Sequence, residues 1–160
     1  MTVINLHLKI NAPANVCFDL ARSAEAHMQS LAHTKEKAIA GRRSGLFELN
    51  DTVTWEARHF GIRQHLTVKI TKMEPYSMFE DVMVKGAFKN FDHQHYFEQQ
   101  GDYTLMRDVF SYEVPGWIFG KLFDALLLKR YMTRLLTTRN DSLKSAAEKL
   151  HHGGAASTEK

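Results

Sequence analysis

A chain of 160 residues that is 44% hydrophobic and 24% charged has the size and composition of one globular domain, which excludes fibrous and disordered proteins. Its formal net charge of only +3 comes without a dense basic run, so we predict no binding to nucleic acid. The single cysteine, the absence of a signal-peptide pattern and the lack of a long apolar stretch predict a cytoplasmic protein.

The N-terminal segment is predicted to form one strand followed by two short helices. Apolar and polar residues alternate from Val3 to Ile10, which indicates a half-buried strand whose even-numbered residues face inward. Pro13 suits the first turn of a helix that leads into Val16 to Ala21. A second short helix is predicted around Glu25 to Leu31.

The middle of the chain is predicted to be an antiparallel meander. Turn-forming residues recur every ~8 to 14 positions between segments of strand-forming composition. The predicted strands are Thr34 to Ala40, Thr52 to Phe60, Ile62 to Met73, Met78 to Lys85, Ala87 to Gln99 and Tyr103 to Val114.

The last third is predicted to form one long helix, from Trp117 to Leu150, because apolar residues recur at intervals of three and four. Its first half is apolar nearly all round, so we expect that half to be enclosed. We therefore predict an α+β fold in which a curved antiparallel sheet of about seven strands wraps around this helix. Residues 1–150 would form a single domain, and 151–160 a disordered tail.

Several short motifs carry a family resemblance over nearly the whole chain, to about Leu143. They are Ile10-Asn-Ala-Pro-Ala-Asn-Val16, Val53-Thr-Trp-Glu-Ala-Arg-His-Phe-Gly61, Gly86-Ala-Phe-Lys-Asn-Phe-Asp-His-Gln-His95, Thr104-Leu-Met-Arg-Asp108 and Pro115-Gly-Trp-Ile-Phe-Gly120. With them the sequence resembles the START-like (SRPBCC) helix-grip superfamily of polyketide cyclases, aromatases, pollen allergens and lipid-transfer domains, in particular its bacterial branch. The resemblance implies a cavity for a hydrophobic ligand between sheet and helix, in a family with many binding or carrier proteins.

Two neighbouring strands place polar residues among apolar ones on the face that we expect to be buried. Phe91, His93, His95 and Phe97 alternate along one strand. In the next strand, the face of Met106, Asp108, Phe110 and Tyr112 is predicted to point inward, because the opposite face would bury Arg107 and Glu113. The turn at Gln100 to Asp102 places Asp108 near position 94, within diagonal reach of His93 or His95.

These faces define the candidate ligand-binding residues. Trp55 and His59 share a face of an earlier strand and are expected to join the same interior. The apolar wall is predicted to consist of Trp55, Phe91, Phe97, Met106 and Phe110. The polar contacts are predicted to be His59, His93, His95, Asp108 and Tyr112. The helix residues expected to close the cavity are Phe119, Leu122, Phe123 and Leu126.

The sequence leaves four interpretations of the polar residues open. They form a network that only stabilises the sheet, they orient a small hydrophobic ligand, they bind a metal ion, or a His and Asp108 pair performs acid–base catalysis, as in a cyclase, aromatase or dehydrase. We predict binding of a lipid, quinone or polyketide-like molecule, with no cofactor and no metal, because the His93-x-His95 pattern is short. Phosphate-loop, Gly-x-Ser-x-Gly and His-Glu-x-x-His motifs are absent from the sequence.

The long helix supports two further hypotheses. From Gly116 to Leu150 it carries seven basic and three acidic residues. A basic helix with aromatic residues at its start suits transient contact with a membrane surface, whereas the usual arrangement buries the apolar stripe and exposes the basic side chains to water. A protein-interaction module would instead combine a filled interior with an exposed apolar patch. The sequence does not determine the oligomeric state.

Overall fold

The computed structural model describes residues 1–156. The N-terminal elements are strand β1 (Thr2–Ile10), helices α1 (Ala14–Ala21) and α2 (Ala24–Ser30) and a 3-10 turn (Ala32–Thr34). The remaining strands are β2 (Lys37–Gly41), β3 (Thr52–His59), β4 (Ile62–Glu74), β5 (Met78–Lys85), β6 (Asn90–Gln100) and β7 (Tyr103–Glu113). The C-terminal helix consists of α3 (Ile118–Phe123), a π-helical segment (Asp124–Leu128) and α4 (Lys129–Ala156).

All seven strands form one antiparallel sheet in the order β1-β7-β6-β5-β4-β3-β2. Six of them follow one another as a meander, and β1 pairs with the last strand, β7. Helices α1 and α2 form the connection between the two sheet edges, and α4 packs against both of them and against β1. The predicted α+β helix-grip architecture is confirmed.

The boundaries differ from the prediction by more than one residue in three places. Strand β2 begins at Lys37, because residues 32–34 form the 3-10 turn, and β6 begins at Asn90 after a bend. Helix α4 continues through 151–156, part of the segment that we predicted to be a disordered tail. An established helix gains one hydrogen bond for each residue it adds, so α4 continues despite the low helix propensity of Gly153 and Gly154. Residues 157–160 of the predicted tail lie outside the described residues.

The inward faces of the strands follow the predicted alternation. On β6, Phe91, His93, His95 and Phe97 are all buried. On β7, the buried face includes Met106, Asp108 and Phe110, as expected. Because successive side chains of a strand point to opposite faces, this agreement fixes which residues of the two strands lie in the interior.

The two halves of the C-terminal helix have different surroundings. In α4 the buried apolar residues Leu136, Leu143 and Ala147 recur at helical spacing and face the sheet and the short helices. Helix α3 has no buried residue: Trp117 directly before it is 82% exposed, and Phe119 within it is 86% exposed. The expectation that the first half is enclosed is therefore wrong. A sheet covers one side of a helix, so it cannot cover a segment that is apolar all round.

No helix among the described residues is long and apolar enough to cross a membrane.

Candidate functional site

A cavity of about 600 Å³ lies between the inner face of the sheet and the C-terminal helix. This volume falls within the usual range of small-molecule sites. The sheet contributes the apolar side chains of Val53, Trp55, Val68, Ile70, Phe91 and Phe110. The helix contributes Phe123, Leu128, Met132, Leu135 and Leu136. The cavity is therefore lined mainly by apolar groups from both layers of the fold.

Trp55 forms part of this wall and is fixed by its neighbours. Its indole ring stacks on the imidazole of His27, with the ring centroids 4.3 Å apart, and it meets the edge of Phe47. His27 is in turn hydrogen-bonded to Glu36 at 3.0 Å. The indole therefore presents a rigid apolar surface to the cavity.

The polar part of the wall is centred on His95, which lies between two carboxylates. Its Nδ1 donates to Asp108 Oδ1 at 2.9 Å, and its Nε2 donates to Asp81 Oδ1 at 3.0 Å. Ionised carboxylates only accept hydrogen bonds, so this arrangement requires a proton on both ring nitrogens. Burial alone would lower the pKa of His95, but the two carboxylates outweigh it, and the pKa is raised above its usual value. The same imidazolium keeps the pKa of Asp108 well below its usual value despite burial.

His93 differs from His95 although it lies on the same face of β6. Among the described residues its Nε2 is buried without a hydrogen-bond partner, and it lies 3.6 Å from Asp108 Oδ1, which is beyond hydrogen-bond length. Burial and the charge of the adjacent His95 lower the pKa of His93 to about 4, so this ring is neutral at pH 7. Buried polar atoms without a partner are rare in folded proteins and are often found where water, a ligand or an ion binds.

Arg139 completes this cluster from the helix side. It is 6% exposed, and its Nη1 lies 3.4 Å from Asp108 Oδ2. Arg139 is one of the seven basic residues counted between Gly116 and Leu150, and it departs from the usual arrangement in which such side chains are exposed to water. The sequence does carry a signal for its burial, because Arg139 lies three residues after Leu136 and four before Leu143, on the apolar stripe. Asp81 was also missed, since one carboxylate on a strand of mixed composition gives no periodic signal.

A second polar pair lies elsewhere on the wall. His59 Nδ1 and the Tyr131 hydroxyl are 2.6 Å apart, and both residues line the cavity. Burial lowers the pKa of His59, so its imidazole is neutral at pH 7, and burial raises the pKa of the Tyr131 hydroxyl. The pair can offer a ligand a neutral hydrogen-bonding group.

The structure brings half of the predicted site residues to the cavity. Those that line it are Trp55, His59, Phe91, His93, His95, Phe110 and Phe123. Those that do not line it are Phe97, Met106, Asp108, Tyr112, Phe119, Leu122 and Leu126.

The packing of the sheet and of α1 explains why three of these residues do not line the cavity. Phe97 is covered by Phe18 of α1, with ring centroids 5.7 Å apart, and Met106 is buried on the adjacent strand. Asp108 lies behind His95, because the two residues are direct partners in the register. The prediction placed Asp108 opposite position 94, one residue away, because it centred the turn differently.

Tyr112 and three predicted helix residues do not line the cavity for other reasons. The Tyr112 hydroxyl donates to Asp124 of the π-helical segment, and Asp124 also accepts from Thr2 at the sheet edge. Burial and the Asp124 carboxylate raise the pKa of Tyr112. This contact joins the helix to β7 instead of facing a ligand. The remaining helix residues, Phe119, Leu122 and Leu126, are 86%, 54% and 61% exposed and point away from the cavity.

Comparison with known proteins identifies the fold. No protein-family model matches the chain, and no curated protein matches it. A solved structure from Thermus thermophilus is 18% identical with a TM-score of 0.74, covering 90% of this chain and 95% of the other. A START superfamily protein from Mycobacterium smegmatis is 15% identical with a TM-score of 0.71, covering 92% and 98%.

A third similar structure is norcoclaurine synthase from Thalictrum flavum in complex with dopamine and hydroxybenzaldehyde. It is 13% identical with a TM-score of 0.66, covering 91% of this chain and 85% of the other. Identities this low establish the fold and not the activity. The chain thus has the START (SRPBCC) helix-grip fold, as the sequence resemblance implied.

Proposed function

We propose that the protein binds or carries a small, predominantly apolar molecule, such as a lipid, quinone or polyketide-like compound, in the cavity between sheet and helix. The observation that carries this proposal is a cavity of about 600 Å³ with apolar walls and one buried imidazole nitrogen, His93 Nε2, that has no protein partner among the described residues. Apolar walls supply affinity by removing ligand surface from water, and a few fixed polar groups supply orientation. His93, and the pair formed by His59 and Tyr131, are the groups that would orient the ligand.

The ligand would enter where the cavity reaches the surface. Phe60, Ile62 and Phe123 all line the cavity and are 53%, 62% and 40% exposed. Phe60 contacts both Phe123 and Tyr131, with ring centroids 5.9 and 4.5 Å apart. These side chains connect the β3–β4 turn to the helix, so a modest rearrangement of the turn would widen the opening.

A fluorescent probe tests this function directly. N-phenyl-1-naphthylamine is a neutral aromatic amine whose emission rises in apolar surroundings. We expect saturable 1:1 binding, and we expect Ala57→Leu, which fills part of the cavity from β3, to weaken it by at least about tenfold. Ala40→Leu is the matched control, because Ala40 is exposed on the neighbouring strand.

Absence of saturable binding, or equal affinity in Ala57→Leu and Ala40→Leu, would contradict the proposal. If the probe binds as expected, native mass spectrometry of protein purified from its own host would identify the natural ligand by its mass. A lipid, quinone or aromatic compound retained at one per chain is the expected result.

An enzyme of the cyclase, aromatase or dehydrase type is the second candidate function. It is favoured by one observation: the His93 nitrogen that has no partner in the described part of the chain lies beside a buried Asp108 and His95 pair. Against it, an imidazole with a pKa of about 4 is a weak base at neutral pH. Loss of turnover with binding retained in His93→Ala would favour the enzyme, whereas equal loss of binding in His93→Ala and Asp108→Ala would favour the carrier.

We also propose that the start of the C-terminal helix contacts an anionic membrane surface when ligand is exchanged. Exposed apolar residues cluster there, next to the cavity opening; they are Trp117, Ile118, Phe119, Leu122, Phe123, Leu126 and Leu127. Lys121, Lys129 and Arg130 are exposed among them, and the one acidic residue, Asp124, is bonded to Tyr112 and Thr2. A patch that combines aromatic and basic side chains is typical of interfacial helices.

Vesicle cosedimentation tests this contact. We expect binding to phosphatidylcholine vesicles that contain phosphatidylserine, weaker binding without it, and a loss of binding in Phe119→Ser. Val84→Ser is the matched control, since Val84 is 60% exposed on β5, outside this patch. Binding that is equal for the two variants, or independent of phosphatidylserine, would contradict the proposal. If the patch binds a partner protein and not a membrane, the partner would form a complex with this protein in the absence of vesicles.

A further inference from the structure

Three potential metal ligands converge on one wall of the cavity. Asp81 on β5 is the direct register partner of His93 on β6, and His95 follows on the same face of β6. One donor atom from each of the three side chains lies within 4.8 Å of the others. All three residues also line the cavity, so a bound ion would be reachable by the contents of the cavity.

An independent observation points to a missing partner in this cluster. His93 is 7% exposed, and its Nε2 has no hydrogen-bond partner among the described residues. A buried nitrogen loses its hydrogen bonds to water on folding, and nothing in that part of the protein replaces them. A metal ion would supply a partner to this neutral imidazole, which is the form that binds metals.

The charges of the cluster allow a cation to replace a proton. With both imidazoles neutral, the carboxylates of Asp81 and Asp108 exceed the single guanidinium of Arg139 by one negative charge. A proton between His95 Nε2 and Asp81 Oδ1, which are 3.0 Å apart, balances that charge in the structure. A metal ion in the place of this proton would be bound by both atoms.

The groups behind the ligands are arranged as metal sites require. His95 Nδ1 donates to Asp108 Oδ1 at 2.9 Å, which fixes the ring and leaves Nε2 to bind the ion. A carboxylate behind a ligating histidine is a recurrent feature of metal centres, and its loss weakens metal binding about 10- to 100-fold. Asp108 is itself held in place by Arg139.

We propose that Asp81, His93 and His95 bind a divalent transition-metal ion of the zinc type. Two histidines and one carboxylate suit zinc and related ions, and three protein ligands leave a coordination position open. The open position would face the cavity. Because the ion adds two positive charges to a cluster that carries one negative charge, we expect an anionic or readily ionised group to occupy this position.

Metal titration of the whole chain tests the site. The background is the double variant His151→Ala and His152→Ala, because these adjacent histidines near the end of α4 can bind metal on their own. We expect isothermal calorimetry with Zn²⁺ to give 1:1 binding, and Co²⁺ to give the visible absorption of a low-coordinate site. In this background, Asp81→Asn should weaken binding at least about tenfold, and Asp108→Asn about 10- to 100-fold.

Asp92→Asn is the matched control, because Asp92 lies on β6 directly before His93 and points to the other face of the sheet. Its affinity for Zn²⁺ should equal that of the background protein. Circular dichroism establishes that each variant is folded, and Asp81, which is less buried than Asp108, is the decisive position if Asp108→Asn does not fold.

The absence of 1:1 binding in the folded background protein would overturn the proposal. Equal affinity in Asp81→Asn and Asp92→Asn would also overturn it, because the ion would then be held by surface groups. With an ion bound, His93 contacts the ion and not the ligand directly. Binding of N-phenyl-1-naphthylamine in the presence of a chelator therefore tests the ligand-binding function apart from the metal site.

Discussion

Replacement of Arg139 by methionine tests whether the buried charges form one balanced cluster. The guanidinium lies 3.4 Å from Asp108 Oδ2 on β7 and 3.4 Å from the carbonyl oxygen of Ala21 at the end of α1. It therefore connects the helix both to the sheet and to the short helices. Methionine retains a long apolar side chain, so the change removes the polar contacts while retaining most of the packing.

The expected loss of stability follows from this geometry. Removal of one partner of a buried ion pair costs about 3–5 kcal/mol, because the other charge remains buried without compensation. The distances of 3.4 Å are long for hydrogen bonds, and His95 still compensates Asp108. We therefore expect a loss of stability at the lower end of this range, about 3 kcal/mol. In a domain of this length that corresponds to a fall in Tm of about 6–12 °C.

Urea denaturation measures this loss as a lower midpoint at an unchanged slope. Arg134→Met is the control, because Arg134 is exposed on the same helix and its replacement should change the free energy of unfolding by less than about 0.5 kcal/mol. If Arg139→Met is as stable as Arg134→Met, the guanidinium does not balance the buried carboxylates, and this account of the cluster is wrong.

Three further changes test other parts of the structure. The pKa of His93 falls from 6.5 in the unfolded chain to about 4 on folding, so the unfolded chain binds protons more readily than the folded protein does. The free energy of unfolding should therefore decrease by about 3 kcal/mol as pH falls from 6.5 to 4. Urea titrations with EDTA should show a smaller decrease in His93→Phe, and an equal decrease would refute the assignment. Thr104→Val should cost about 1–3 kcal/mol, because it removes the buried hydrogen bond from Thr104 Oγ1 to the Ala12 carbonyl at 2.7 Å; thermal stability equal to wild type would contradict this. Gly120→Ala should lower Tm, because a Cβ at this position would collide with the Pro115 carbonyl oxygen. Gly153→Ala is the control and should not lower Tm, because a Cβ added there meets no atom of the described residues within 4 Å.

Local sequence patterns predicted most of the fold, because the side-chain periodicity of a strand or helix is visible within a few residues. The segment Met78 to Lys85 was predicted with the bounds of β5, and the buried face of β6 was predicted residue by residue. The same reasoning failed for Trp117 and Phe119, which are exposed. The apolar character of a residue does not indicate whether another part of the chain packs against it.

The candidate site was predictable to the extent that it lies on one strand. His93 and His95 share a face whatever the rest of the fold does, because the side-chain period of a strand is two. Their different protonation states were not predictable, since those depend on Asp81 from a neighbouring strand and on Arg139 from the helix. Arg139 could have been recognised as a charge on an apolar stripe.

The sequence by itself determined the order of the elements, the faces of the strands and the presence of imidazoles in the interior. Only the tertiary structure decided which interior residues face the cavity: α1 covers Phe97, the register places Asp108 behind His95, and Tyr112 is engaged by Asp124. The physical reason is that strand periodicity is a property of the local backbone. Access to a cavity depends instead on how separate elements pack, which is set by the sum of many contacts between residues distant in the chain.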